Sequence, residues 1–207
     1  MTVMIASTLF HDVACHMEAA MNQQDIYKKK IDTNGEANIL DFGCGPTGAG
    51  RAFIECQIMG TRNKLSLFDP GANINPSNYN NVSVVNTEQV FGPNRDQFDI
   101  VNISYVLCLM EPREARETLE RLKEKHSSAS FIIIDYTLDG RSKMDVQNLL
   151  VADTEKRWRQ KLGEEEFYRT HSRFSPESLS ELVNTAGIQH SGTRPLDKKN
   201  LRASITF

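Results

Sequence analysis

The sequence predicts an α/β fold: a sheet of mostly parallel strands with helices on both faces, closed near the C-terminal end by an antiparallel strand. Three observations predict it. Short, nearly continuous apolar runs recur along the chain, helical periodicities separate several of them, and two further runs flank a polar turn at the end. Strands covered on both faces read as unbroken apolar runs, since neither side of the strand meets water.

The chain opens on Leu9, Phe10, Val13, Ala14, Met17 and Met21, which recur at helical spacing and make one face of an amphipathic helix. Lys28-Lys29-Lys30 reads as its solvated end, and the polar stretch Asp32 to Gly35 closes the segment. Residues 1–36 are therefore expected to form a helical extension, and residues 37–207 a single domain. Within that domain, strands are expected at Asn38–Asp41, Leu65–Asp69, Val82–Asn86, Phe98–Ser104 and Phe131–Asp135. Phe131-Ile132-Ile133-Ile134 is the strongest run and reads as a central strand. Helical patterns occupy Ala49–Met59 and Arg113–Lys125, and Met144 to Leu162 reads as a long helix carrying the only tryptophan, Trp158. A last helix has Ser175 as N-cap and Pro176 at its first position, and Gly187 ends it. Ile188–Thr193 and Ala203–Phe207 then read as strands joined by the turn Asp197 to Asn200.

Composition narrows the function classes. With 39% hydrophobic and 25% charged residues over 207 positions, the chain has the proportions of a soluble globular protein. Its formal charge of −3 argues against a free-standing nucleic-acid binder, whose affinity rests on phosphate contacts. Met1 to Phe10 lacks the basic flank of a signal peptide, and no apolar run approaches a membrane span, so a cytoplasmic protein is expected. Cys15, Cys44, Cys56 and Cys108 are widely spaced and form no CxxC pair. They read as free thiols, with neither a metal site nor a disulfide framework.

The chemistry begins at Ile39-Leu40-Asp41-Phe42-Gly43-Cys44-Gly45-Pro46-Thr47-Gly48. A strand runs into an acidic residue, a glycine pair around one small residue, and a helix. Gly43, Gly45 and Gly48 satisfy the dinucleotide pattern GxGxxG, but Asp41 stands two residues before the first glycine. A pyrophosphate would be repelled there, whereas the methionyl ammonium of S-adenosylmethionine would be attracted. The glycines allow close backbone approach in either case, and the following helix N-terminus can face a carboxylate.

Ile39–Gly50 resembles the first motif of class I S-adenosylmethionine-dependent methyltransferases, which have a Rossmann-like domain. Leu67-Phe68-Asp69-Pro70 is similar to the end of their second strand, and Phe98 to Leu107 to their fourth strand and its turn. Ser175 to Gly187 resembles the late helix before their final hairpin, so the likeness covers roughly residues 37 to 207. It implies that Asp41, Gly43, Cys44 and Gly45 hold the methionyl end of S-adenosyl-L-methionine. It implies further that Asp69, next to Pro70, takes the ribose hydroxyls, and that Asn86-Thr87-Glu88 meets the adenine. Ser104 and Tyr105 would flank the transferable methyl, and residues 1–36 would form a helical lid. An alanine at Asp69 should then weaken the cofactor and leave the apoprotein's stability nearly unchanged.

Methyl transfer by direct displacement is the expected reaction. Tyr105 and His171 are the candidate proton acceptors, and His11, Tyr136 and Arg173 the candidate acceptor contacts, each also readable as a plain surface residue. A small-molecule acceptor is expected, with RNA or protein as the alternative. Asn102-Ile103-Ser104-Tyr105 fits the amino-group methyltransferase motif only loosely, lacking its prolines. The sequence departs from the family at Pro70 to Asn81, where a helix is usual, and at His126-Ser127-Ser128, which replaces a Pro-Gly-Gly-like turn. Rival readings are a cofactor-binding protein without activity and an NAD enzyme.

Overall fold

The computed structural model describes residues 21–22, 24–31, 36–45, 54, 58, 60–71, 73–75, 79–93, 97–136, 160, 174–196 and 202–206. Its strands are β1 (Asn38–Phe42), β2 (Lys64–Phe68), β3 (Val82–Val84), β4 (Ile100–Ser104), β5 (Ser130–Tyr136), β6 (Thr193–Pro195) and β7 (Arg202–Thr206). They form one sheet in the order β3-β2-β1-β4-β5-β7-β6. β1 to β5 run parallel, and β7 pairs antiparallel with both β5 and β6. The chain starts in the middle, runs out to β3 and returns to the other side of β1. The switch point thus falls between β1 and β4, where open α/β sheets leave a crevice beyond the strand carboxyl ends.

The described helices are α1 (residues 24–31), α2 (Thr87–Phe91), α3 (Pro112–Lys125) and α4 (Pro176–Thr185), with a 3₁₀ turn at Leu107–Leu109. Side chains alternate across the strands into two cores. Leu40, Val101, Ile103 and Ile133 pack against Leu119 and Leu122 of α3 and Leu179 and Val183 of α4. Ile39, Ile100, Ile132 and Ile134 face the other way, onto Ile26, Tyr27 and Ile31 of α1 and onto Ile54 and Ile58. Truncating any of these fully buried leucines or isoleucines to alanine costs ~2–5 kcal/mol.

The lysine run is a solvated helix end, as expected, in the last described turn of α1. α1 continues through it to residue 31, with Lys28 and Lys29 on its exposed side while Ile26, Tyr27 and Ile31 are buried. Several boundaries differ from the sequence expectations, each for a physical reason. The strand expected at Val82–Asn86 stops at Val84, because Asn86 turns the chain into α2 as its N-cap. Ile188–Thr193 is not a strand; the strand comes later, at Thr193–Pro195. Ile188 instead completes the end of α4. Gly187 takes φ 75° and donates to the Asn184 carbonyl, and the Ile188 N–H returns to the Val183 carbonyl at 3.2 Å. That is a Schellman cap, whose apolar residue packs back on the helix. Pro195 sits in the edge strand, where sheets tolerate proline.

Ile54 and Ile58 are helical and fully buried, in keeping with the helix expected at Ala49–Met59. The rest of that helix lies outside the described residues, as do Met144 to Leu162 (Gln160 excepted), the Asp197–Asn200 turn, Cys15 and Cys56. Cys44 and Cys108 are buried. Among the described residues no helix is long and apolar enough to cross a membrane, and no cluster of potential metal ligands occurs.

Candidate active site

The turn after β1 is built from glycine for two separate reasons. Gly43 and Gly45 have φ of 74° and 64°, a region costly for any residue with a Cβ. A Cβ on Gly43 would also come within 2.4 Å of the Val106 side chain, from the segment after β4. The backbone N–H groups of the turn point inward. Those of Gly43 and Cys44 both donate to the Phe68 carbonyl, at 2.7 and 3.1 Å, and that of Gly45 donates to Asp69 Oδ2 at 2.9 Å. None of these three remains to cradle a pyrophosphate, as a dinucleotide-binding turn requires. The three N–H groups are thus spent within the protein, and carboxylates border the turn. The Cys44 side chain is in the core, so only its backbone borders the turn.

Asp69 closes this turn from the end of β2. Besides Gly45, it accepts the Gly71 N–H through Oδ1 at 2.8 Å. A carboxylate has about four acceptor sites, so a half-buried Asp69 with two in use still has capacity for two hydroxyls. Its role in folding was not evident from sequence, and the bland expectation for the apoprotein of an alanine variant needs correction: two backbone donors would lose their acceptor. Pro70 follows it, exposed.

Asp41 and Asn102 are register partners on β1 and β4, at the switch point and on the α1 side of the sheet. Asn102 Nδ2 donates to Asp41 Oδ1 at 2.5 Å. Asn102 Oδ1 accepts the Ser104 hydroxyl at 3.0 Å and also the hydroxyl of Tyr27. Tyr27 in turn lies 3.2 Å from Ser104 Oγ. Asp41, Asn102 and Tyr27 are at most 2% exposed, whereas Ser104 is half-buried. Sequence reasoning missed Tyr27 and weighed Asn102 only as part of a loosely fitting amino-group methyltransferase motif. The helix through the lysine run was the only signal that could have found Tyr27.

Tyr105 has φ 60°, the one non-glycine residue with positive φ among those described. Its N–H donates to the Ile134 carbonyl at 2.7 Å, and the chain then turns into the 3₁₀ segment. Asp135, fully buried at the end of β5, accepts the Cys108 N–H at 3.0 Å and so anchors that segment. Strained backbone held by surrounding bonds is common where a site must be shaped.

Asn86, Thr87 and Glu88 lie exposed beyond β3. The Asn86 side chain caps α2 by accepting the Gln89 N–H at 3.0 Å, and Gln89 Oε1 returns the bond. The Glu88 carboxylate lies over Gly92, where a Cβ would meet it at 2.4 Å. His126 has a structural place: its Nε2 donates to the Val90 carbonyl at 3.1 Å, and its ring stands edge-on to Phe98 at 5.0 Å. The turn that departs from the family pattern thus clamps α2 to the end of α3. Burial pushes this imidazole below its ordinary range, although the Val90 bond opposes the shift. His11, His171, Arg173 and the Tyr136 side chain lie outside the described residues.

Neither protein-family models nor curated protein sequences give a match to this chain. Solved structures do. Human N-acetylserotonin methyltransferase in complex with S-adenosylmethionine aligns with a TM-score of 0.60 at 15% identity, over 88% of this chain and 50% of that one. A Burkholderia thailandensis 1,6-didemethyltoxoflavin-N1-methyltransferase with bound S-adenosylhomocysteine aligns with a TM-score of 0.58 at 15% identity, over 97% and 83%. A pericyclic reaction enzyme aligns with a TM-score of 0.59 at 13% identity, over 87% and 46%. The chain spans about half the length of the human enzyme and of several other matched structures. The fold is that of the class I S-adenosylmethionine-dependent methyltransferases, a Rossmann-like sheet with its antiparallel strand between β5 and β6.

Proposed function

We propose that the chain is an S-adenosylmethionine-dependent methyltransferase acting on a small-molecule acceptor in the cytoplasm. The observation that carries this reading is the turn Gly43 to Gly45, its N–H groups turned inward and its ends bordered by Asp41 and Asp69. When bound, the cofactor supplies an electrophilic methyl group on a sulfonium.

The chain's own residues then bind and orient. Asp41, Gly43, Cys44 and Gly45 hold the methionyl end, Asp69 takes the ribose hydroxyls, and Pro70 with Asn86, Thr87 and Glu88 borders the adenine. Ser104 and Tyr105, at and just after the carboxyl end of β4, would flank the transferable methyl. Tyr105 and His171 are the proton acceptors for an acceptor that needs one. His11, Tyr136 and Arg173 contact the acceptor, and residues 1–36 close over the domain of residues 37–207. Holding two reactants in line is worth ~7–11 kcal/mol of barrier, so binding geometry carries most of the catalysis.

One observation favours a second reading. A pericyclic reaction enzyme shares this fold, and fold does not fix chemistry, so the chain would bind the cofactor without transferring its methyl. Release of S-adenosylhomocysteine is measured after adding S-adenosylmethionine and fractions of a cell extract. The proposal expects product with the low-mass fraction. Product only with the RNA or protein fraction would move the acceptor to that class, and none with any fraction would favour the second reading.

A further inference from the structure

The buried polar row on the α1 side of the sheet joins the first described helix to the carboxylate of the glycine turn. Asn102 sits in its middle, and its amide can satisfy both neighbours in one orientation only. Nδ2, a donor, must face Asp41 Oδ1, and Oδ1, an acceptor, must face the hydroxyls of Tyr27 and Ser104. Tyr27 and Asn102 lie 75 positions apart in sequence, and Tyr27 is 1% exposed, so the contact exists only while α1 is docked. If α1 lifts, Oδ1 keeps only Ser104 on its hydroxyl side, and less fixes the amide that holds Asp41.

We infer that Tyr27 is a positioning residue: through Asn102 it sets the Asp41 carboxylate for the methionyl ammonium, so docking of α1 and binding of the cofactor reinforce each other. The inference rests on the proposed cofactor reading and goes beyond it, by making the first helix part of the binding equilibrium. Linkage is reciprocal: whatever docking of α1 adds to affinity, the cofactor returns as protection of α1.

The test uses the full chain and S-adenosylhomocysteine as probe. Calorimetry compares wild type, Tyr27→Phe, Asn102→Leu and the double variant, while hydrogen exchange follows residues 24–31 with and without ligand. Tyr27→Phe should weaken binding about three- to ten-fold, the range for one lost hydrogen bond. It should have little further effect in the Asn102→Leu background, because the relay is already broken there. Ligand should slow exchange across residues 24–31 in wild type, and less so in Tyr27→Phe. A purely structural tyrosine would lower the apo melting temperature and leave affinity, measured well below melting, unchanged. That result overturns the inference, as does ligand-independent exchange of residues 24–31 in wild type, a readout that needs no variant to fold. A wild type that binds no S-adenosylhomocysteine removes the cofactor reading itself, a distinguishable outcome.

Discussion

At Gly43 two independent constraints meet, positive φ and the approach of Val106. Gly43→Ala should cost about 2–4 kcal/mol in chemical denaturation, combining an overpacked contact with left-handed strain. Val106→Ala in the same background should recover the contact part only, and a Gly43→Ala as stable as wild type would refute both constraints. Tyr105 permits a finer comparison. At φ 60° glycine should be more stable than alanine by about 1 kcal/mol, the reverse of their usual order, and equal denaturation midpoints would deny the strain. For Asp69→Ala, cofactor affinity should fall roughly thirty-fold or more, and apo stability should now fall as well, since the Gly45 and Gly71 N–H groups lose a charged acceptor. Asp69→Glu should restore neither fully, because an extra methylene displaces both short bonds. An apo melting curve for Asp69→Ala that overlays wild type would contradict this. Asp41, Gly43, Gly45 and Asp69 were legible in the sequence because each stands at a fixed distance from a strand end. Tyr27 and Asn102 were not, since their meaning arises only where α1 crosses β4.

Among the elements, α2 and α3 are joined by side chains that no periodicity announces. Arg121 lies over the Phe91 ring at 4.2 Å, Lys125 donates to the Gly92 carbonyl, and His126 reaches Val90. His126 donates through Nε2, so Nδ1 is the site for a second proton, and it is buried with no hydrogen-bond partner among the described residues. The folded imidazole thus has a lowered pKa, which makes the unfolded chain the better proton binder. Stability should be fully present above the unfolded value near 6.5 and fall as pH drops from there towards the folded value. Melting temperatures from pH 7.5 to 5 should decline less steeply for His126→Gln than for wild type. Parallel slopes would remove His126 from the account. α3 was readable from its period over Arg113–Lys125, and α4 from the Ser175–Pro176 pair at its first turn. α2 was not, since five residues give no period and only its Asn86 cap marks it. The apolar Ile188 misled in the opposite direction, belonging to a helix cap rather than a strand.

Across the whole molecule, the sheet order follows from local signals combined with a general rule of connection. Parallel strands joined by helices must cross in one hand, so a chain that starts centrally and reverses once leaves a single switch point. Asp41, Gly43, Asn102 and Ser104 gather there, and Asp69 reaches it from β2. The polar groups at the opposite end of the sheet serve the backbone instead: Asn63 accepts the Ala37 N–H at 2.6 Å and Asp99 that of Asn38 at 2.8 Å. Among the described residues, carboxylates thus border a glycine turn at the carboxyl end of the sheet. This turn is proposed to bind a cation-bearing nucleoside and not a dinucleotide. Calorimetric titration of the full chain with S-adenosylhomocysteine and, separately, NAD tests it most directly. Saturable binding of S-adenosylhomocysteine and no heat with NAD are expected, whereas micromolar NAD binding with no signal from S-adenosylhomocysteine would rule the proposal out.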